Sequence, residues 1–388
     1  MTEAAARRGR LGSLLTLLLP LLIGLGALAT IELGGTMAWL LVQPTATVLS
    51  ALVLLSSVVL LLSNSVAAQA DRVAELVGQP YGTLVLTGAV MIIELALVAS
   101  TMLTGESNPT LARDSMFSVV MIALTGVTGL CNVIAALRSR NISVNGRLDS
   151  SQLAAPNLLG ALTYFDLITT MCVLALVIPN FSPSTLEANF SPAENAVLAV
   201  VALGVYIVFI TAQIGSYRHL YTEVEDALDG KAGSGEATML SSLPLGQATL
   251  LLASGLLVVC LIAESMGQLI ETGIHDLGLP SSLAGVLVAL LILAPEAFNA
   301  IRAASQGEVQ RSINTLYGSV VATVSLTVPA VLLLGAITGT DVILGLEPLN
   351  MVLLVLTLVL LNPHARLTGI EGMMKLVIFL FWILFQVA

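Results

Sequence analysis

The sequence predicts an all-α integral membrane protein with eleven transmembrane helices. Hydrophobic residues make up 57% of the 388 residues and charged residues 10%, and the mean hydropathy is +0.99. Soluble domains carry about 25% charged residues, so this composition excludes a soluble fold. About twenty apolar residues suffice to cross a bilayer as a helix. We identify eleven apolar runs of about this length, at 11–30, 45–67, 81–103, 114–137, 157–179, 192–215, 244–266, 281–304, 312–337, 341–361 and 367–387.

The positions of the Lys and Arg residues predict the orientation, because these residues favour the cytoplasmic side of a membrane. With a cytoplasmic N-terminus, twelve of the fourteen fall on cytoplasmic ends or loops. Of the other two, Arg113 lies outside and Lys375 lies within the last span, where its four-residue spacing from Glu371 predicts a structural helix ion pair. We therefore predict an external C-terminus. The run at 11–30 is longer than a usual signal-peptide core, so we expect it to be retained as the first span.

Two predicted spans each contain a carboxylate far from their ends. No charged residue lies between Leu283 and Ala294, and Glu296 follows about fifteen residues into its span, roughly 22 Å along the helix. Glu94 lies about thirteen residues into the third span. An acidic residue at the bilayer centre costs about 2.5 to 3.5 kcal/mol, so such residues usually serve a function. The pattern favours an ion or proton site, and a structural carboxylate paired with a neighbouring helix is the alternative.

The two halves of the chain predict an inverted repeat. Glu94 lies in span three and Glu296 in span eight, so their helices run in opposite directions. Each span is followed by one rich in small and hydroxyl residues, a pattern typical either of close packing or of oxygen ligands. Inverted repeats place the substrate site at the midplane between the halves. We assign 1–44 to the N-terminus and an extra first helix, 45–215 to the first five-helix repeat, 216–243 to an acidic cytoplasmic linker and 244–388 to the second repeat.

Two carboxylates in a low-dielectric site favour neutralisation by protons or by a cation. Calcium prefers about six to eight oxygen ligands, which carboxylates, backbone carbonyls and hydroxyls can supply. We therefore predict that Glu94 and Glu296 bind a cation or protons in exchange. The possible auxiliary ligands are Thr87, Asn299, Asn314, Ser319 and Thr323. Asp166 and Glu264 are candidates for a further proton site or an entry-side acid, with packing or solvation as the alternatives.

Several runs resemble ChaA-type bacterial sodium(calcium)/proton antiporters. The first-repeat runs are GQPYGT at 78–83, IE at 93–94 and NPTLARD at 108–114. The second-repeat runs are LVALLILAPE at 287–296, QRSIN at 310–314, GSV at 318–320 and LTVP at 326–329. The chain departs from the family at Ala294, where a serine is common, and its central loop has fewer acidic residues and histidines. The wider superfamily often has Gly-Asn before each glutamate, where this chain has Ile92-Ile93 and Ala294-Pro295.

The resemblance implies the cation/calcium exchanger superfamily, with ten core helices in two inverted repeats and one extra helix. It also implies that Glu94 and Glu296 coordinate the cation and carry protons, and that the protein lies in the bacterial cytoplasmic membrane. Its partners would then be inorganic cations, protons and membrane lipid. Ca²⁺, with Na⁺ or K⁺ as further ions, would be transported in exchange for H⁺, and no cofactor is expected.

Other functions are less well supported by the sequence. A sodium-driven calcium exchanger is the main alternative, and a passive cation channel is a second one. An intramembrane enzyme is disfavoured because the sequence lacks His-Glu-x-x-His and Gly-x-Ser-x-Gly. No basic stripe with interleaved aromatic residues is present, so we expect no nucleic-acid partner.

Overall fold

The computed structural model describes residues 18–32, 35–77, 81–104, 109–142, 155–183, 189–221, 244–278, 280, 282–364 and 366–387. All regular elements within these ranges are helices. Eight of the described helices are long and apolar enough to cross a membrane, and three shorter apolar helices accompany them. The predicted all-α membrane class is therefore confirmed. The count of eleven spans and the two inverted repeats remain predictions.

Three of the described spans contain a π-helical turn. In chain order the described helices are α1 (Leu18–Glu32), α2 (Thr36–Leu40), α3 (Thr45–Val77), α4 (Tyr81–Thr104), α5 (Leu111–Met121), π1 (Ile122–Val127), α6 (Thr128–Ile142), α7 (Leu158–Cys172), π2 (Val173–Val177), α8 (Pro192–Ile214), α9 (Leu245–Leu277), α10 (Ser282–Gln306), α11 (Val309–Ala322), π3 (Thr323–Thr327), α12 (Val328–Thr338), α13 (Pro348–Leu361) and α14 (Gly369–Val387).

The chain divides into two compact units, each built from two separate segments. Unit 1 comprises Met1–Glu106 and Ser234–Leu279, and unit 2 comprises Ser107–Gly233 and Pro280–Ala388. Unit 1 thus contains α1 to α4 and α9, and unit 2 contains the other described helices. Each unit takes helices from both predicted repeats, and the repeat boundaries remain a prediction.

In unit 1, the long helices α3 and α9 pack side by side and run antiparallel. A Cβ atom added to Gly273, near the end of α9, would lie 3.5 Å from Leu49 near the start of α3. A Cβ atom on Gly255 would lie 2.7 Å from Val66, farther along α3. Helix α4 packs against both. The small side chains on α9 therefore let two 33-residue helices approach closely along most of their length.

In unit 2, the central span is the continuous run α5–π1–α6. In an 18-residue apolar window of this span, 78% of the residues are buried. The same share is 28% for α8 at the periphery. Helices α10, α11 and α14 pack around it. The backbones of α6 and α14 approach closely, since a Cβ atom on Gly372 would lie 2.7 Å from the carbonyl oxygen of Gly129. Only hydrogen atoms fit between these two backbones.

Contacts at both ends of unit 2 define the directions of its helices. Near the start of α10, a Cβ atom on Gly285 would lie 2.7 Å from the backbone of Asp114 near the start of α5. At the opposite end, Arg138 near the end of α6 donates a hydrogen bond of 2.7 Å to the Ser305 carbonyl near the end of α10. The span α5–α6 is therefore parallel to α10. These helices correspond to the predicted spans four and eight. In a topology where successive spans alternate in direction, spans four and eight run in the same direction, as observed.

Candidate cation site

Glu94 is a deeply buried carboxylate in unit 1. It lies in the middle of α4, and its relative exposure is 2%. Met91, Ile93, Leu97 and Val98 around it on the helix are also buried. A carboxylate surrounded by apolar side chains is poorly solvated, so its charged form requires compensation by a partner or by a bound ion. The local sequence therefore supplies an acidic group that favours neutralisation.

Glu296 lies in unit 2 on α10, directly after the proline inside that helix. Its side chain is partly buried, and its Oε2 atom is shielded from solvent. Pro295 has no backbone N–H, so it cannot donate the usual helical hydrogen bond to the Leu291 carbonyl. A helix carbonyl released in this way is a possible oxygen ligand one turn from the carboxylate. The sequence Ala294-Pro295-Glu296 therefore combines a charged ligand with an altered backbone.

The two glutamates belong to different compact units. Glu94 is part of unit 1 and Glu296 is part of unit 2, and each is placed by the helices of its own unit. Their meeting at a single shared site, inferred from the inverted repeat, remains a prediction.

Unit 2 holds a second group of oxygen atoms, in the π-helical turns of its central spans. Helix α10 packs against π1, and α11 also contacts π1. Thr323, Ser325 and Thr327 of π3 are each at most 1% exposed, as is Thr125 of π1. A π-helical turn widens the helix locally and is frequent at functional sites. Both hydroxyl-rich spans singled out in the sequence contain such a turn.

The hydroxyl groups of the π1 span are oriented by their own helix. Thr125 donates a hydrogen bond to the Met121 carbonyl, and Thr128 donates one of 2.7 Å to the Ala123 carbonyl. Because each hydroxyl hydrogen is used within the helix, the remaining lone pairs can only accept a hydrogen bond or bind a cation. The span therefore presents fixed oxygen acceptors inside unit 2.

The auxiliary ligands predicted from the sequence have different environments. Thr323 is buried, Ser319 is half-buried, and Asn299 is exposed. The Asn314 amide takes part in structural contacts, since its oxygen accepts a 2.9 Å hydrogen bond from Gln310 and its Nδ2 donates one of 2.6 Å to the Tyr221 carbonyl. The side chain of the fifth candidate, Thr87, lies outside the part of the chain that the structure describes. The Asn314 amide therefore joins α11 to the Tyr221 backbone.

The two further acids are both exposed. Asp166 lies on α7 and Glu264 on α9, and neither side chain is buried. No group of three or more His, Cys, Asp or Glu residues suitable for a metal ion occurs among the described residues. A cation bound at Glu94 or Glu296 would therefore need further ligands, namely hydroxyl oxygens, carbonyl oxygens or water.

The sequence reasoning missed a buried ion pair at the start of α5. Arg113 and Asp114 are 6% and 7% exposed, and Arg113 Nη2 lies 2.8 Å from Asp114 Oδ1. Arg113 Nη1 also donates to the Gly345 carbonyl at 2.9 Å, and Thr110 donates to Asp114 at 3.0 Å. The placement of Arg113 on the outer side of the membrane remains a prediction. Its hydrogen bond to Gly345 holds the connection between α12 and α13 against α5.

The predicted ion pair of the last span is present. Lys375 Nζ lies 2.8 Å from Glu371 Oε1 on α14, and Lys375 is 2% exposed. The four-residue spacing places both side chains on one face of the helix. Their contact neutralises two charges near the start of the span.

Comparisons with known proteins identify the family. The model for the family described as sodium/calcium exchanger protein matches residues 14–215 and 247–388. The chain is 34% identical over 319 residues to the putative ionic transporter y4hA of Sinorhizobium fredii, covering 81% of this chain and 82% of that one. It is 33% identical over 298 residues to the sodium-potassium/proton antiporter ChaA of Escherichia coli, covering 76% of each. The chain belongs to the sodium/calcium exchanger protein family.

Solved structures of other exchangers share the fold. The structure of native YfkE has a TM-score of 0.62 at 17% identity and covers 95% of this chain and 99% of its own. The H⁺/Ca²⁺ exchanger CAX has a TM-score of 0.58 at 15% identity and covers 96% and 87%. The family match and the 33% identity to ChaA confirm the resemblance to ChaA-type antiporters, and the chain is a multi-span membrane protein. The members of its family are transporters rather than enzymes.

Proposed function

We propose that this exchanger is a secondary antiporter of the bacterial cytoplasmic membrane. It exchanges Ca²⁺, with Na⁺ or K⁺ as further ions, for H⁺ by alternating access. Glu94 and Glu296 bind either the cation or protons, and the buried hydroxyls of π1 and π3 supply neutral oxygen ligands. The N-terminus faces the cytoplasm and the C-terminus faces outward.

The observation that carries the proposal is the burial of Glu94 in a 24-residue helix with no other charged residue. A desolvated carboxylate favours a neutral state, which either a proton or a cation provides. Both ligands bind to the same oxygen atoms, so each excludes the other. If the unneutralised charged state crosses the membrane slowly, the protein exchanges one ligand for the other.

The names of the relatives support coupling to protons and leave three candidate cations. ChaA, the relative at 33% identity, is named a sodium-potassium/proton antiporter. The structural neighbours YfkE and CAX are named as exchangers of Ca²⁺ and H⁺, at 18% and 15% identity. Since the two sets name different cations, the transport assay has to test each ion separately.

The proposal is tested with purified protein in liposomes that carry an internal pH indicator and a preformed pH gradient. Adding the transported cation is expected to collapse the gradient without any sodium present. The substitutions Glu94→Gln and Glu296→Gln are each expected to lower the exchange rate at least about tenfold, as the loss of a charged ligand worth 1.4 kcal/mol or more would do. Full exchange by either variant would exclude the proposed role of that glutamate.

Matched measurements separate the competing functions. Glu308→Gln removes a carboxylate that lies at the surface in an ion pair with Arg311, so its exchange rate should equal that of the wild type. Proton movement that requires sodium would indicate a sodium-driven calcium exchanger. Cation currents that are independent of the pH gradient would indicate a channel.

A further inference from the structure

The ring of Phe379 on α14 lies directly against the backbone of the π1 turn. A Cβ atom added to Gly126 of π1 would lie 3.1 Å from both Cδ2 and Cε2 of Phe379. Gly126 is buried, and Phe379 is partly buried. Any side chain at position 126 would have to displace the ring, so the glycine gives Phe379 its place on the turn.

Two further aromatic residues hold the Phe379 ring in its orientation. Trp382 on α14 is fully buried, and its ring centroid lies 5.8 Å from that of Phe379. Trp382 also meets Phe117 of α5 edge-on, with the centroids 6.2 Å apart and the planes at 90°. Aromatic pairs favour such offset and edge-to-face arrangements. The three rings therefore join α14 to α5, the helix that continues into π1.

The turn beneath the ring carries an oxygen atom of the proposed cation site. Thr125 directly precedes Gly126 and is 1% exposed. Its hydroxyl donates a hydrogen bond to the Met121 carbonyl, so the remaining lone pairs can bind a cation. Thr125 and Gly126 share one planar peptide unit. A shift of the backbone at Gly126 would therefore move the Thr125 oxygen with it.

The π1 turn needs a support of this kind because its own backbone is less regular than an α-helix. A π-helical turn is a local widening, and helices bend at such turns. A ring in contact with the backbone restricts that bending. Selectivity among metal ions depends on the size of the site, the number of ligands and their flexibility. A contact that restricts one ligand therefore contributes to the choice of ion.

We propose that Phe379 is a positioning residue that determines the cation selectivity of the exchanger. Its ring, seated against Gly126, sets the position of the Thr125 oxygen through the backbone and without touching the cation. A restrained oxygen fits one ionic radius, whereas a mobile oxygen accepts several. The intact contact thus favours one ion among Ca²⁺, Na⁺ and K⁺. The inference rests on the proposed function, in which the π1 hydroxyls are ligands.

The experiment measures the affinity for each ion separately, by binding and by transport. Binding is the rise in melting temperature of the detergent-solubilised protein on adding Ca²⁺, Na⁺ or K⁺, because a ligand of the folded state stabilises it. Transport in liposomes gives KM and kcat for each ion. Phe379→Leu is expected to lower the affinity ratio between the preferred ion and the next one about threefold, since a neutral ligand contributes roughly half as much as a charged one. The kcat for the preferred ion should change less than about twofold.

A matched control and a size exchange make the test specific. Phe381→Leu is the same substitution on the same helix, at a ring that is 53% exposed, and it should leave the affinity ratio unchanged. Gly126→Ala places a methyl group against the ring and should lower the ratio as Phe379→Leu does. In the double variant the methyl group has room, so the ratio should return to within about twofold of the wild type.

The outcomes separate the role of Phe379 from the antiport itself. An unchanged affinity ratio in Phe379→Leu, or a double variant in which the two losses add, would overturn the positioning role. Because the double variant refills the space, it decides the matter even if Phe379→Leu alone folds poorly. A wild-type protein that binds its cation selectively but moves no protons would overturn the proposed antiport and leave the positioning role in place. A wild type that binds none of the three ions would overturn both.

Discussion

The two compact units differ in how their membrane helices are built. In unit 1, α3 and α9 are each 33 residues long and run as uninterrupted α-helices. In unit 2, π1, π2 and π3 interrupt three of the spans, and Pro295 lies inside a fourth. Glu94 therefore lies on a regular helix, whereas Glu296 lies on a continuous helix with an internal proline.

This difference indicates that the helices of unit 2 can bend locally, whereas the long helices of unit 1 cannot. Regular helices packed through small residues move as rods, because each backbone group already has its helical partner. A π-helical turn or an internal proline leaves carbonyl groups with altered partners and permits local bending. We infer that unit 2 contains the adjustable ligands and unit 1 the fixed one. The predictions below test this contrast, from the largest expected effect to the smallest.

The largest effect is expected from the buried ion pair of unit 2. Asp114→Asn or Arg113→Met leaves one buried charge without its partner, so each should destabilise the protein by about 3 to 5 kcal/mol. The melting temperature of the purified protein in detergent measures the loss. The matched change in unit 1 is Gln69→Leu, which removes a buried amide joined to Ser65 by a 3.1 Å hydrogen bond. It should cost no more than about 1 kcal/mol.

The double variant provides the control for this prediction. Replacing Arg113 and Asp114 together by Met and Leu removes both charges, so it should be more stable than either single variant. If Gln69→Leu proved as damaging as Asp114→Asn, the contrast between the units would be wrong.

A smaller effect is expected where helices touch through glycine. In unit 2, Gly285→Ala places a methyl group 2.7 Å from the Asp114 backbone. The backbone cannot rotate away, so the substitution should cost about 1 to 3 kcal/mol. In unit 1, Gly255→Ala meets the Val66 side chain, which can change rotamer, and the cost should be lower.

Gly204→Ala is the matched control for the glycine comparison, since a Cβ atom there has no neighbour within 4 Å. Its melting temperature should equal or slightly exceed that of the wild type. Equal melting temperatures of Gly285→Ala and Gly204→Ala would show that the close contact at Gly285 does not destabilise the protein, because both substitutions improve helix propensity to a similar extent.

The proline of α10 should affect transport more than stability. Pro295→Ala restores the N–H that bonds to the Leu291 carbonyl, so the helix becomes regular and the melting temperature should not fall. Exchange should slow about two- to tenfold because the Leu291 carbonyl then accepts a helical hydrogen bond and is no longer free to bind a cation. Wild-type exchange rates in this variant would show that the proline does not contribute to transport.

The smallest effect is expected at the surface. Arg311 and Glu308 form an ion pair at 2.9 Å, and their side chains are 68% and 39% exposed. Such pairs contribute about 0 to 1 kcal/mol, so Arg311→Gln should shift the melting temperature very little. A loss comparable to that of Arg113→Met would contradict the distinction between buried and exposed pairs.

The membrane class and the two carboxylates could be predicted from the sequence because the bilayer imposes a strong pattern. A span must be apolar for about twenty residues, so a single Glu94 or Glu296 within it stands out. The four-residue spacing of Glu371 and Lys375 likewise predicted a contact that the structure contains. These signals are local, and each depends on only one helix.

Other features of the site depend on which helices pack together, and no local pattern records this. Arg113 binds the Gly345 carbonyl, which is more than two hundred residues away in the chain. The Asn314 amide, predicted as a possible ligand, donates a hydrogen bond to the Tyr221 carbonyl on another element. The small cavity beside Asn132 forms where α6, α10 and α11 meet. The π turns depend on backbone hydrogen bonds that the residue types alone do not specify.

The contact between Gly129 and Gly372 has a consequence for the transport cycle. With the backbones of α6 and α14 touching, neither helix can slide or rotate past the other without a collision of main-chain atoms. The C-terminal helix must therefore travel as one rigid body with the middle of unit 2 whenever the protein changes conformation. A spectroscopic label near the chain terminus would accordingly report the motion of the interior.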